Sequence, residues 1–197
     1  MNRQRRKFST FKLVIAALML AAGIYLPFLT GQIPQIGKML LPMHIPVLLC
    51  GMICGWQYGL VVGLILPALR GVLYGMPVFF PMGMAMCFEL ATYGLVIGLL
   101  YKLLPKNIGF TYVSLIVAMI AGRIVWGVVR VIQSGVSGSA FTWKLFMSGA
   151  FLNAIPGIII QLVFIPAIML VLVKAGVLPD EKESSIPVSG SADAVNN

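Results

Sequence analysis

Glu89 is the only acidic residue in the first 179 positions of this chain, a stretch that also holds thirteen lysines and arginines. The other four acids, Asp180, Glu181, Glu183 and Asp193, all fall in the last eighteen residues. A soluble domain covers itself with charges of both signs, about a quarter of its residues. Here 10% of 197 residues are charged and 60% are hydrophobic, with a mean hydropathy of +1.01. Too few charges exist to build a water-facing surface, so lipid is the solvent for most of the chain.

The net charge of +9 does not point to nucleic acid, because the basic residues edge the apolar runs and do not line one polar face. Arg3, Arg5, Arg6, Lys7 and Lys12 precede or open the first run, and Lys102 and Lys106 bracket a turn. That is how positive charge anchors membrane helices on the cytoplasmic side. The basic start before Leu13–Leu26 also has the look of a secretory signal, with small residues at Ala21-Ala22-Gly23. Further apolar spans lie beyond it, which favours an uncleaved first transmembrane helix. Cys50, Cys54 and Cys87 lie inside apolar runs and read as reduced thiols serving as small hydrophobes.

A helix crosses the hydrocarbon layer with about 20 apolar residues. Six segments qualify or come close: 11–29, 41–55, 58–74, 82–103, 111–133 and 145–174. The expected fold is an all-α integral membrane protein, a compact bundle of six transmembrane helices. Residues 1–10 form a basic cytoplasmic N-terminus, 11–174 the membrane domain, and 175–197 a polar tail whose composition is that of disordered chain. Placing the N-terminus inside also puts Lys102, Lys106, Lys174 and Lys182 inside and leaves chiefly Lys38 and Lys144 outside, so both termini are expected in the cytoplasm. Gly51/Gly55, Gly59/Gly63, Gly71/Gly75 and Gly94/Gly98 are spaced four apart, which lets helix backbones approach closely. Pro46, Pro67, Pro156 and Pro166 sit inside spans, where breaks are tolerated if the freed groups face protein or a wet cavity.

The polar residues at membrane depth carry the functional information: Arg70, Glu89, Arg123, Arg130, His44, Asn153 and Gln161. Ionisable groups there are costly and are functional candidates by default. At ~1.5 Å per residue, the charged residues and Asn153 fall at the midplane or in the outer half of the six-span arrangement. Two readings fit. In the first, an outward-facing cavity holds three arginines against one glutamate, and its positive excess suits a small anionic ligand that arginine grips bidentately. In the second, Glu89 and Arg123 form a buried salt bridge, while Arg70 and Arg130 snorkel to headgroups.

Other chemistry is poorly supported. Cys50, Cys54 and His44 are too few for a metal site. The only histidine has no acidic partner in its own span for a nucleophilic triad, and no GxxxxGK[ST] loop is present for ATP hydrolysis by that route. No cofactor is implied. Trp56, Trp126, Trp143, Tyr74, Phe79 and Phe80 suit either interfacial anchoring or stacking on a ligand. Ala17 and Ala21, with Ala16 and Ala22 beside them, make a small-residue surface on the first span for close helix contact.

Several stretches together resemble the S components of energy-coupling factor (ECF) transporters, in particular the branch serving pantothenate and related vitamins. They are Leu41-Pro42-Met43-His44-Ile45-Pro46-Val47 leading into Gly51, then Gly59…Gly63, Pro67-Ala68-Leu69-Arg70, Gly75-Met76-Pro77 and Glu89-Leu90-Ala91-Thr92-Tyr93-Gly94. The resemblance covers residues 11–174. It implies a subunit of the bacterial cell membrane that is not an enzyme and binds a small water-soluble vitamin from outside. It implies as partners a transmembrane coupling subunit and two cytoplasmic ATPases, with toppling of the whole subunit carrying the ligand inward. Ala17 and Ala21 match the family's docking motif for the coupling subunit, and residues 30–40 match its cap over an outer-half pocket. Substrate contacts are expected from Arg70, Glu89, Arg123, Arg130, Asn153 and His44. A stand-alone secondary carrier or channel is the alternative, and an intramembrane enzyme a more distant one.

Overall fold

The structure is a computed structural model, and it describes residues 2–30, 40–137, 147 and 154–175. Asn153, Trp143, nearly all of the 30–40 cap and the tail from Gly176 onward lie outside the described residues. Among the described residues the regular elements are all helical: α1 (Asn2–Tyr25) with a 3-10 turn (Leu26–Thr30), α2 (His44–Cys54), α3 (Trp56–Tyr74), α4 (Met84–Leu103), α5 (Ile108–Ser137) and α6 (Ile155–Lys174). Five helical runs are long and apolar enough to cross a membrane: Thr10–Leu29, Trp56–Tyr74, Phe79–Leu103, Ile108–Gly135 and Ile155–Lys174. Their outward faces are apolar, with Val61, Leu64 and Ile65 on α3 and Ile116, Ile120, Ile124 and Val128 on α5 exposed. In water such faces would be interaction or aggregation surfaces; in lipid they are ordinary.

The second of the six expected spans differs. Over 41–55 the helix covers only His44–Cys54, 11 residues, or ~16 Å at the usual rise, about half of the hydrocarbon thickness. It stops at Gly55, whose φ of +100° only glycine adopts without strain, and α3 begins at the next residue. Most of α2 is buried, on all sides, as suits a helix enclosed by others. The sixth span, expected over 145–174, is described as helix only from Ile155.

Glycines set the packing. A β-carbon on Gly94 of α4 would overlap the backbone of Gly59 on α3, one on Gly63 would overlap the Leu90 carbonyl, and one on Gly98 would meet the Trp56 backbone. Partner numbers rise along α3 as they fall along α4, so the two helices are antiparallel. Gly51 brings α2 to the same seam, against the Gly94 carbonyl. Without a hydrophobic force between helices in lipid, close backbone contact of this kind supplies the dispersion that holds them. Two members of the expected glycine pairs do other work: Gly55 joins α2 to α3, and Gly75 (φ +70°) ends α3. The core between the helices is filled by Val47, Leu48, Leu66, Leu90, Tyr93, Ile97, Leu115 and Ile165, with Cys50 and Cys54 among them.

Candidate functional site

Glu89 lies one residue from the Gly63 crossing, on the face of α4 that turns inward. Three side chains from three elements gather around its Oε1. Arg123 Nη1 on α5 is 2.8 Å away, the Tyr93 hydroxyl donates from 3.0 Å, and His44 Nε2 on α2 stands at 3.5 Å. Tyr93 is four residues along α4 from Glu89, so both share one face. Its ring lies against Gly122, where any side chain would collide with it, and 5.2 Å from the His44 ring. Glycine at 122 thus lets α5 come near enough for Arg123 to reach the carboxylate.

All four side chains are buried: Glu89, His44 and Tyr93 at 1% exposure and Arg123 at 5%. Ion pairs this deep recover their desolvation cost only with good geometry and further hydrogen bonds, which Tyr93 helps to provide. The cluster is nonetheless not self-satisfied. Arg123 Nη2 and both His44 ring nitrogens have no hydrogen-bond partner among the described residues. Each such buried group costs about 1–3 kcal/mol. These unused donors and acceptors gather around one carboxylate. A carboxylate or carbonyl would accept from Arg123 Nη2, while the histidine offers one donor and one acceptor nitrogen in its neutral form.

The three arginines do not converge. Arg70 is seven residues beyond Gly63 on α3, and Arg130 seven beyond Arg123 on α5, so each lies roughly 10 Å along its helix from the Glu89 level. Arg70 is 4% exposed and committed elsewhere: Nη1 donates to the Ile24 carbonyl at 2.8 Å, and the guanidinium lies 5.4 Å from the Phe28 ring and 5.9 Å from the Tyr74 ring. In this structure its partners are thus a main-chain carbonyl and two aromatic rings, all from α1, the turn after it, and α3. Arg130 Nη1 donates to Gln133 Oε1 at 3.4 Å, and Gln133 is itself buried at 5%. The three guanidinium groups thus meet different groups in this structure: Arg123 the Glu89 carboxylate, Arg70 the Ile24 carbonyl, and Arg130 the Gln133 amide among others.

Tyr93 and Gln133 do not stand out in the sequence as charged residues do. The i, i+4 spacing from Glu89 signals the first, and the i, i+3 spacing from Arg130 the second. Gln161 on α6 is buried at 1% with its amide nitrogen unpartnered among the described residues. Ala17 and Ala21 are exposed on one face of α1 with Leu13, Val14 and Leu18, while Ala16 and Gly23 turn inward. Trp126 is buried, whereas Phe79 and Phe80 are exposed. No group of three or more metal-ligating side chains occurs among the described residues.

The family model described as "ECF transporter, substrate-specific component" matches residues 11–169. No curated protein and no solved structure matches the chain.

Proposed function

Because the chain belongs to the family of substrate-specific components of ECF transporters, a multi-pass membrane family of transport and not of catalysis, we propose that it captures a small, water-soluble, anionic vitamin or vitamin precursor. A pantothenate-like compound is the favoured ligand. Capture takes place on the outer side of a bacterial cell membrane, with both termini in the cytoplasm. Members of this family work with a membrane coupling subunit and ATPases, and here two cytoplasmic ATPases drive uptake through that subunit.

The observation that carries this reading is the Glu89–Arg123–His44–Tyr93 cluster, with its buried and unpartnered hydrogen-bonding atoms. Arg123 grips the ligand's anionic group through Nη2, and His44 supplies a second contact. Glu89 fixes the arginine's orientation and limits its charge, so that the unliganded site is not a bare buried cation. Arg130 and Asn153 contribute toward the outer side. The exposed small-residue face of α1 at Ala17 and Ala21 docks on the coupling subunit, since small side chains permit close backbone approach.

The test is co-expression with a coupling subunit and its two ATPases. The wild-type chain is expected to co-purify with them and to support ATP-dependent vitamin uptake in vesicles. Ala17→Leu with Ala21→Leu is expected to abolish co-purification while leaving the isolated bundle folded. Solute movement by the isolated chain under an ion gradient alone, without ATPase partners, would contradict the proposal and favour a secondary carrier.

A further inference from the structure

The sequence suggests substrate contact for Arg70; its surroundings assign it to α1. The last carbonyls of a helix lack intrahelical donors. Past Ile24 the shortage is worse, because Pro27 in the adjoining turn has no N–H to give. At membrane depth no water makes up the difference. Arg70 Nη1 donates to Ile24 O at 2.8 Å, a charge-assisted bond of the stronger kind, with the cation placed favourably at a helix C-terminus. Phe28 and Tyr74 flank the guanidinium and meet each other edge to face at 4.9 Å.

Nearer the middle of α1 the hold is different. There Cys54 Sγ of α2 approaches the Lys12 carbonyl at 3.4 Å, and a thiol is a weak donor. Between these two points, ~18 Å apart by helical rise, Ala16 and Gly23 of α1 are buried, and Ile15, Met19 and Leu20 pack half-buried against the core, apolar contacts that lipid tails can replace. Both pins engage the backbone of α1, not its side chains, and their strengths are very unequal.

We propose that Arg70 is the pivot of α1: it fixes the C-terminal end of the helix to α3, and the remainder, held by apolar packing and one weak thiol bond, tilts about it. That tilting part carries Leu13, Ala17 and Leu18, so the pivot lets the exposed face adjust to a partner while the rest of the bundle stays intact. The use of the pivot rests on the docking role proposed above; the pivot itself does not.

Spin-label distances in the full chain in lipid nanodiscs test it without ligand or partner. One pair, Leu29→Cys with Ile132→Cys, reports the pinned end, and the other, Leu13→Cys with Ile116→Cys, reports the free end; all four positions are exposed. The three native cysteines are buried and stay in place. The pinned-end pair is expected to give the narrower distribution. Arg70→Met is expected to lose that narrowness at the pinned end alone, and Arg70→Lys, which still donates and faces the rings, to keep part of it. Phe28→Leu removes one ring, leaves the hydrogen bond and gives a milder broadening of the same pair. Unchanged distances in Arg70→Met overturn the proposal, as does equal broadening at both ends, which marks general loosening. So does a lysine variant indistinguishable from methionine. Failure of the wild-type chain to co-purify with a coupling subunit would instead overturn the docking role and leave these distances as predicted.

Discussion

Removing one member of the Glu89–Arg123 pair leaves the other charged, buried and uncompensated. Breaking such a pair from one side costs about 3–5 kcal/mol, whereas replacing both partners with apolar side chains is often close to neutral. Arg123→Met and Glu89→Leu are therefore each expected to destabilise the bundle by that order, and the double variant to recover most of the loss. Unfolding in mixed micelles, taken as a double-mutant cycle, checks this. Tyr93→Phe removes one hydrogen bond to the carboxylate, worth about 1.5–3 kcal/mol for a charged acceptor, and should cost less than either single charge deletion. The pairing itself is legible in the sequence, because a lone acid among thirteen bases in 179 residues has to find one of them. The fate of Arg70 is not. Its partner is the main-chain carbonyl of Ile24, 46 residues away, and a backbone acceptor leaves no mark in the side-chain pattern.

At the scale of elements, the seam of α2, α3 and α4 depends on the absence of side chains. Gly94→Ala places a methyl group inside the Gly59 backbone, and neither main chain can move aside cheaply. The variant is expected to lose folded protein, read as yield of monodisperse material after solubilisation. Gly109→Ala is the control. Nothing lies within 4 Å of the added carbon, and α5 is expected to tolerate the change or gain up to about 1 kcal/mol from alanine's better helix propensity. The spacing of glycines announces close packing, and among the described residues four of the five membrane-length helical runs begin and end within a few residues of the expected positions, while the fifth matches at its end, Lys174. The length of α2 is overestimated from hydropathy because apolar residues run from Leu40 to Cys54. Hydropathy does not register that the helix proper starts only at His44.

For the whole molecule, the apolar outer surface and the buried ionisable groups are one arrangement: the bundle encloses Glu89, Arg123, His44 and Arg70 and presents hydrocarbon to hydrocarbon. Charge arithmetic over the sequence names the arginines but not the partners that each one meets. Net charge does not reveal that three arginines have three different acceptors: a carboxylate, a carbonyl and an amide. A site with one half-satisfied guanidinium is expected to select one small anion over its neutral counterparts. Native mass spectrometry of the full chain, incubated with a panel of carboxylate-bearing vitamins and their neutral amides, measures this directly. The wild-type chain and Arg70→Met are expected to retain a carboxylate compound but not its amide, and Arg123→Ala to lose it. Equal retention of acid and amide by the wild-type chain, or undiminished retention by Arg123→Ala, would contradict the assignment of the Glu89–Arg123 cluster as the solute-binding site.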